Sequence, residues 1–450
     1  MKWTVKVVIG SSQQIFSLKV KRVPIGFFER LKMPIDFPLS SAPLSEAPLD
    51  LAAFGQLEAL IQTHLAEGRY PGCQVALAYK GHLLLDKGYG DARLAEPMGS
   101  ETQGDIQVNT QGNATAQLAP PGSQTAAVPA QSDTLWALYS NTKIMVATTL
   151  WKLMEQGQLR FSDKVADHLP EFAAHGKGHI TLFQVITHQG GFPNADVPPE
   201  LWLDHAQVRA AVADFPLEWP AGSRVHYHSL SAHWVLAMVI EAITGQDFRE
   251  AVNERVLVPL GLDQDLFVGL PDRLLPAHSN RMAFLYEPSP NKAHPHQLRS
   301  ESTSTLWQQA GVPGGGAYGT ARGMVALYQM MLQGGTLNGV RLLSPRTLAY
   351  ALRNYTEERV DEFMGLPMHR GLGPHFRGES IAIRGLGSLA PANVYGHGGV
   401  GTSYVWADPN TGISFAYISN SRVPDPWHSI RLDQISNAVH AAIRTPSDSA

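Results

Sequence analysis

The sequence predicts an α+β fold: an antiparallel sheet flanked by helices and built from both ends of the chain, with a mainly helical segment inserted between them. Three observations predict it. The folded part opens with a helix and two strands. It closes in mirrored order, with two strands and a helix, so the two ends can meet in one sheet. The residues between them carry helical apolar periodicity broken by proline-rich loops. The expected division is an N-terminal extension over residues 1–48, a sheet domain from 49–160 and 301–450, and a mainly helical domain over 161–300.

Each element has a local reason. Residues 1–48 alternate short apolar runs with Pro24, Pro34, Pro38, Pro43 and Pro48 and read as an extension wrapped on the body. A helix is expected from Leu51 to about Glu67. Strands follow at 73–80 and 82–87, with Gly81 between them as a hairpin signal. Residues 96–132 differ in kind. No charged residue occurs from Ile106 to Ser132, and Gln, Ala, Thr, Gly and Pro dominate, which marks a low-complexity loop. An amphipathic helix is expected from about Ser140 to Glu155. Residues 231–244 have the apolar density of a buried helix, with Gly245 as its C-cap. Another helix is expected over 320–332. Strands at 402–407 and 413–419 flank the turn Asp408-Pro-Asn-Thr-Gly412, and a last helix runs over about 429–443.

Bulk composition narrows the function. Of 450 residues, 44% are apolar and 16% charged, the balance of a packed globular chain. The net charge is −4 with no basic run, which argues against nucleic acid as a partner. No stretch approaches the about 18 apolar residues of a membrane span. The single cysteine, Cys73, permits neither an intrachain disulfide nor a cysteine metal cluster. Lysines at 2 and 6 border an apolar run too short for a signal-peptide core, so a cytoplasmic location is expected. No cofactor is implied.

Ser140-Asn-Thr-Lys143 carries the most chemistry. At a helix start, Ser140 and Lys143 share one face, one turn apart. A serine hydroxyl becomes a useful nucleophile when a base takes its proton, and a lysine that has lost its charge is such a base. Unpaired N–H groups at the helix start can hold an oxyanion. The bland alternative is an N-cap serine followed by a solvated lysine, since Ser-x-x-Lys arises about once by chance in a chain of this length.

Two further features supply partners. Tyr227-His-Ser229 lies in a loop just before the buried helix at 231–244. Tyrosine carries a proton when its phenol is stabilised as an anion, for instance beside an ammonium. His397-Gly398-Gly399 immediately precedes the strand at 402–407. Its glycines allow a backbone to approach a ligand, and the N–H of Val400 is then a candidate oxyanion donor. A plain hairpin turn is the alternative there.

Together these features resemble the serine β-lactamase and penicillin-binding-protein superfamily, in the branch of class C β-lactamases and their esterase relatives. The resemblance covers roughly residues 50 to 445. It includes Ile180–Pro193, Pro220–Gly245 and the glycine-rich Gly311–Ala321. It implies a β-lactamase-like fold. It implies Ser140 as the acylated nucleophile, with Lys143 accepting its proton. Tyr227 would act with Lys143 in acylation and deprotonate water in deacylation. Ser229 would be a substrate-orienting and lysine-contacting residue, and the N–H groups of Ser140 and Val400 would form the oxyanion hole. His397-Gly398-Gly399 aligns with a Lys-Thr-Gly motif.

Two departures shape the expected substrate. His397 stands where the family's lysine binds a substrate carboxylate, and an imidazole is mostly neutral at pH 7. Ser229 stands where asparagine offers an amide donor. Both favour a carboxylesterase acting on short-chain neutral esters. A β-lactamase or D-stereospecific peptidase using the same residues is the alternative, and a non-catalytic binding relative a more distant one. The partner is then a small-molecule ester or β-lactam, with no nucleic acid and no membrane. Metal-dependent hydrolysis through His226, His228 and His233 lacks a ligand-spaced motif, so no metal is expected.

Overall fold

Runs of apolar and β-branched residues from the two ends of the chain meet in one sheet. A computed structural model describes residues 37–95, 126–292 and 294–444, together with the backbone strand pairs Lys6–Val7 with Phe16–Ser17 and Ile106–Val108 with Ala114–Ala116. The chain's contacts divide it into Met1–Asp36 and Phe37–Ala450, and the sheet belongs to the second unit. Its strands are β1 (Ser40–Ser41), β2 (Gly72–Tyr79), β3 (His82–Arg93), β7 (His375–Phe376), β8 (Tyr395–Gly399), β9 (Ser403–Asp408) and β10 (Ile413–Ser419). A small second sheet holds β4 (Trp136–Ala137), β5 (Leu266–Val268) and β6 (Ala317–Gly319).

The main sheet runs in the order β7-β8-β9-β10-β2-β3-β1, and Val128–Pro129 adds to β3. All neighbours are antiparallel except β1 and β3. The two ends of the chain join where Ile413 faces Tyr79 and Ser419 faces Cys73. Between β2 and β3 the chain turns on Lys80 and Gly81, both with positive φ. That is the backbone a two-residue hairpin of matching twist demands, and Gly81 adopts it without penalty.

Side-chain alternation along β2 assigns the layers. Cys73, Val75 and Leu77 pack with Phe54, Leu57 and Ile61 of α1 (Leu51–Ala66) and with Leu432, Ile435 and Val439 of the C-terminal helix Trp427–His440. Ala76 and Ala78 face the other way. There they join the large core of α2 (Thr142–Glu155), α3 (Ser231–Thr244) and α4 (Ala321–Leu332). Small alanines let α4 lie close on the sheet. Asp50 caps α1 by accepting from the N–H groups of Ala52 and Ala53, and Gly245 ends α3 with φ +67°.

The expected elements are present with boundary shifts of a few residues, as helix ends usually show. The last helix starts at Trp427 and ends at His440, ahead of the expected 429–443. β3 continues to Arg93 because Asp91 and Arg93 pair with Pro129 and Val128. Residues 37–48, expected within the extension, lie along the sheet: Ser40 pairs with His82, and Leu49 bridges to Ile443. The rest of the expected extension, and residues 96–125 of the expected low-complexity loop, lie outside the described residues apart from the strand pairs named above. No helix among the described residues is long and apolar enough to cross a membrane.

Helix α2, which follows Ser140, is buried from Thr142 to Trp151. Trp151 on it is fully enclosed and donates from Nε1 to the carbonyl of Leu372 at 2.8 Å. Trp151→Ala should therefore remove a large packed side chain and leave that carbonyl without its donor. The expected destabilisation is about 3–5 kcal/mol, read as a fall in the urea unfolding midpoint.

Candidate active site

Ser140 sits at a strand–turn–helix elbow. β4 is held by β6, with Ala137 facing Tyr318. The chain then turns on Tyr139, whose φ of +44° is unusual for a residue with a side chain. A 3₁₀ turn over Tyr139–Asn141 runs into α2 at Thr142. The sequence gives no cue for this reversal, because no glycine stands there. Hydrogen bonds hold it instead. Thr142 Oγ1 donates to the Tyr139 carbonyl at 2.6 Å and accepts from Ala317 N–H at 3.0 Å. Asn141 Nδ2 donates to Ser403 Oγ at 3.1 Å, tying the elbow to β9. Ser140 is left half-buried at the tip.

Lys143 is completely buried. Its Nζ lies 3.1 Å from Ser140 Oγ, 2.8 Å from the Ser229 carbonyl and 2.6 Å from the Gly314 carbonyl. No carboxylate is among these partners. Burial, with the Arg370 charge added, holds the amine well below the ordinary lysine range. A neutral amine has two N–H donors and one lone pair. Donation to the two carbonyls leaves the lone pair facing Ser140. Gly314 permits this closeness, since a Cβ there would stand 2.9 Å from the Ser229 carbonyl oxygen. Ser229 thus meets the lysine through its backbone, not through the side chain the resemblance implied. The residue is itself exposed.

Tyr227 completes the contact set, its hydroxyl donating to Ser140 Oγ at 2.8 Å. The Lys143 ammonium position lies 5.0 Å from the centre of its ring. Burial raises the phenol to about 12, against opposing contributions from Ser140 and Arg370. The sequence alone allowed either a phenol made anionic beside an ammonium or a lysine that has lost its charge. Burial disfavours both charges, so the resting site holds a neutral phenol beside an amine of depressed basicity.

The loop that carries Tyr227 is fixed by two residues that sequence reasoning passed over. Asp361 Oδ1 accepts from the N–H groups of Tyr227 and Phe363 at 3.1 Å each. Its Oδ2 accepts from Arg370 Nε at 2.9 Å and also from Arg370 Nη2. Both side chains are buried, at 0% and 3% exposure. The Arg370 guanidinium lies 4.8 Å from the Tyr227 ring centre. Burial works against the Asp361 carboxylate, and the Arg370 charge outweighs it, holding the carboxyl below its ordinary value. Nothing in either residue's neighbourhood along the chain signals the pairing.

His397, Gly398 and Gly399 lie on β8 beside the elbow, and Val400 opens the following turn with its side chain half exposed. A Cβ on Gly399 would stand 2.6 Å from the Leu138 carbonyl oxygen, so glycine allows the strand to reach the nucleophile turn. His397 is buried, and its Nδ1 donates to the Gly398 carbonyl at 2.9 Å. Burial, then the nearby Lys143 charge, lowers it to about 3. The imidazole therefore stays neutral across the physiological range.

Of the histidines considered as metal ligands, His228 is hydrogen-bonded at both ring nitrogens, whereas His226 Nδ1 and both ring nitrogens of His233 are buried without a hydrogen-bond partner among the described residues. His228 Nδ1 donates to the His226 carbonyl and its Nε2 accepts from Phe192 N–H. His226 packs on Trp219 and Phe363. His233 is buried among apolar residues of α3, its ring 6.1 Å from that of His188. His188 itself, unforeseen from sequence, lies 4.6 Å from the Tyr227 ring and accepts the His228 N–H on Nδ1.

The Beta-lactamase family profile matches residues 57–439, and the chain belongs to that family. It is 27% identical over 314 residues to Esterase/beta-lactamase LipL of Mycobacterium tuberculosis, spanning 65% of this chain and 71% of the relative. It is 30% identical over 328 residues to a putative D-alanyl-D-alanine carboxypeptidase of Escherichia coli, spanning 66% of this chain and 72% of the relative. Its structure resembles that of a penicillin-binding protein homologue from Caulobacter crescentus, with TM-score 0.65 and 27% identity over 86% of this chain and 97% of that one. It also resembles a family VIII carboxylesterase, with TM-score 0.66 and 25% identity over 88% and 98%. The chain is thus a serine hydrolase of the β-lactamase and penicillin-binding-protein superfamily.

The buried imidazoles make the protein acid-sensitive. His188, His228, His233, His375 and His397 all have lowered proton affinity, burial being the largest cause in each. In the unfolded chain they protonate near 6.5, so the unfolded state binds more protons below that pH and stability falls as pH falls. Each such group is worth about 1 kcal/mol per pH unit below 6.5. The thermal midpoint should drop between pH 6.5 and 5.5. Over the same interval the ratio of nitrocefin to p-nitrophenyl butyrate turnover should stay flat, because His397 does not titrate there.

Proposed function

We propose that the chain is a carboxylesterase acting on short-chain neutral esters through an acyl-enzyme on Ser140. The observation that carries this reading is the placement of Ser140 Oγ between Lys143 Nζ at 3.1 Å and the Tyr227 hydroxyl at 2.8 Å. Lys143, its N–H donors committed to two carbonyls, takes the Ser140 proton as the oxygen attacks the ester carbonyl. The N–H groups of Ser140 and Val400 stabilise the oxyanion. Tyr227 hands its proton to the leaving alkoxide and is reprotonated from Lys143. In deacylation the same pair deprotonates water.

The preference for neutral esters rests on His397. A neutral, buried imidazole gives a substrate carboxylate no ammonium to pair with, and Ser229 offers no amide donor. The proposal is tested with p-nitrophenyl butyrate, nitrocefin and an N-acylated D-alanyl-D-alanine peptide with a free C-terminal carboxylate side by side. The ester should be favoured in kcat/KM by more than about fivefold, the worth of one screened ammonium–carboxylate contact of ~1 kcal/mol. Preference for either anionic substrate would overturn it.

A β-lactamase or D-stereospecific peptidase is the second reading, and one observation favours it. Arg422 is partly exposed and packs on Gly401, in the turn that Val400 opens. It offers a guanidinium for a carboxylate where His397 offers nothing, although Glu301 lies 3.8 Å away. On that reading Arg422→Ala lowers nitrocefin turnover and leaves the ester rate alone.

The nucleophile has its own test. Ser140→Ala should lower ester turnover by ~10³-fold or more and abolish labelling by a fluorophosphonate probe. Peptide mapping of the labelled wild type should place the adduct on Ser140. An alanine variant that keeps a tenth of the rate would remove Ser140 from the role.

A further inference from the structure

The Asp361–Arg370 pair is not explained by the acyl-transfer steps. It is buried, it joins a strand of the short hairpin Val360–Asp361/Leu366–Pro367 to the segment just after it, and it lies against the residue proposed to relay the proton. Hydrogen bonds fix both partners. Asp361 receives the N–H groups of Tyr227, Phe363 and Met364 on one oxygen and the Arg370 guanidinium on the other. Backbone bonds anchor Arg370: its N–H donates to Thr356 Oγ1 at 2.9 Å and its carbonyl accepts from Tyr355 N–H at 2.8 Å. The consequence is a fixed dipole. Its positive end lies 4.8 Å from the centre of the Tyr227 ring, and its negative end is bonded to the Tyr227 backbone.

We infer that Arg370, held by Asp361, is a positioning residue that biases the Lys143–Tyr227 pair toward the form able to accept the Ser140 proton. A guanidinium over an aromatic face stabilises negative charge on that ring. The same cation disfavours an ammonium on Lys143. Both effects make the pair a better acceptor at a given pH. Arg370 acts on Lys143 as a like charge and on Tyr227 as an opposite one. This inference rests on the proposal that Lys143 and Tyr227 form the relay.

Other groups face the pair. Tyr227 also meets the His188 and His397 rings at 4.6 and 6.4 Å. Lys143 acts electrostatically on His188, His233 and His397. Those imidazoles are held neutral by burial and add no charge. Tyr404, buried and with its proton held more tightly than usual, adds none either. Arg384 has lowered basicity, chiefly from burial, and acts electrostatically on Tyr404. Asp361 is therefore the carboxylate that opposes Arg370 at Tyr227.

The test is the acidic limb of the pH profile of kcat/KM for p-nitrophenyl butyrate, with circular dichroism as the check on folding. The rate of fluorophosphonate labelling at each pH isolates acylation. In the double variant Asp361→Asn/Arg370→Met, which buries no unpaired charge, the limb should move up by about one pH unit, a loss of about tenfold at a pH on that limb. Asp361→Asn alone removes the opposing anion and should move the limb the other way. A purely structural pair would lower kcat without moving the limb, and an unmoved limb in both folded variants overturns the inference. Tyr227→Phe separates the two claims. If it keeps wild-type turnover and limb, the relay reading itself fails. If it is inactive while the charge variants leave the limb in place, only the role of Arg370 fails.

Discussion

An amine buried without a carboxylate partner is the constraint on which this candidate active site depends. Lys143 is enclosed, and its neighbours are a serine oxygen and two backbone carbonyls. A paired lysine would keep its proton and be useless as a base at neutral pH. Withholding a carboxylate, and placing a cation nearby, depresses its basicity without any strained geometry. The carbonyls come from two distant segments, Ser229 before α3 and Gly314 before β6. The helical insertion and the sheet region must therefore be correctly docked before the amine can find its acceptors. Folding and chemistry share one set of hydrogen bonds.

The charge distribution around that amine is consistent. Five imidazoles near or behind the relay are kept neutral by burial, so histidine contributes shape and hydrogen bonds here, not charge. The permanent charges that remain are Arg370 and Asp361, locked to each other. These imidazoles add little pH dependence of their own within the folded range. Their titration is felt by the fold itself, because unfolding releases imidazoles that take up protons.

Much of the fold was legible because its signals are local. The β2–β3 hairpin is written in Lys80-Gly81, and Gly245 marks the end of α3. Ser140 and Lys143 were legible for the same reason, being three residues apart where the 3₁₀ turn runs into α2. Tyr227 and His397-Gly398-Gly399 emerged only through their order along the chain. Three things were not legible. The turn at Tyr139 has positive φ without glycine, and only tertiary bonds from Thr142 and Asn141 sustain it. The Ser229 contact is made by a carbonyl, which every residue possesses. Asp361 joins Tyr227 across 134 residues, and neither residue's neighbours announce the contact. The charge states departed from expectation for a common reason: burial depth is a property of the assembled core, not of the motif.

The junction of β2 with β10 has a consequence for how the chain reaches its folded state. Tyr79 faces Ile413, so a ribosome must add the whole intervening stretch before the central strand acquires its second neighbour. At typical synthesis rates of about 5–20 residues per second, that interval lasts on the order of 20–70 s. During it, the β2–β3 hairpin offers one unpaired edge lined by Val75, Leu77 and other apolar side chains. The nascent protein thus passes through a prolonged stage in which an apolar strand is a template for wrong partners. Expression yield should consequently depend on chaperone supply and growth temperature more than the stability of the finished fold would suggest.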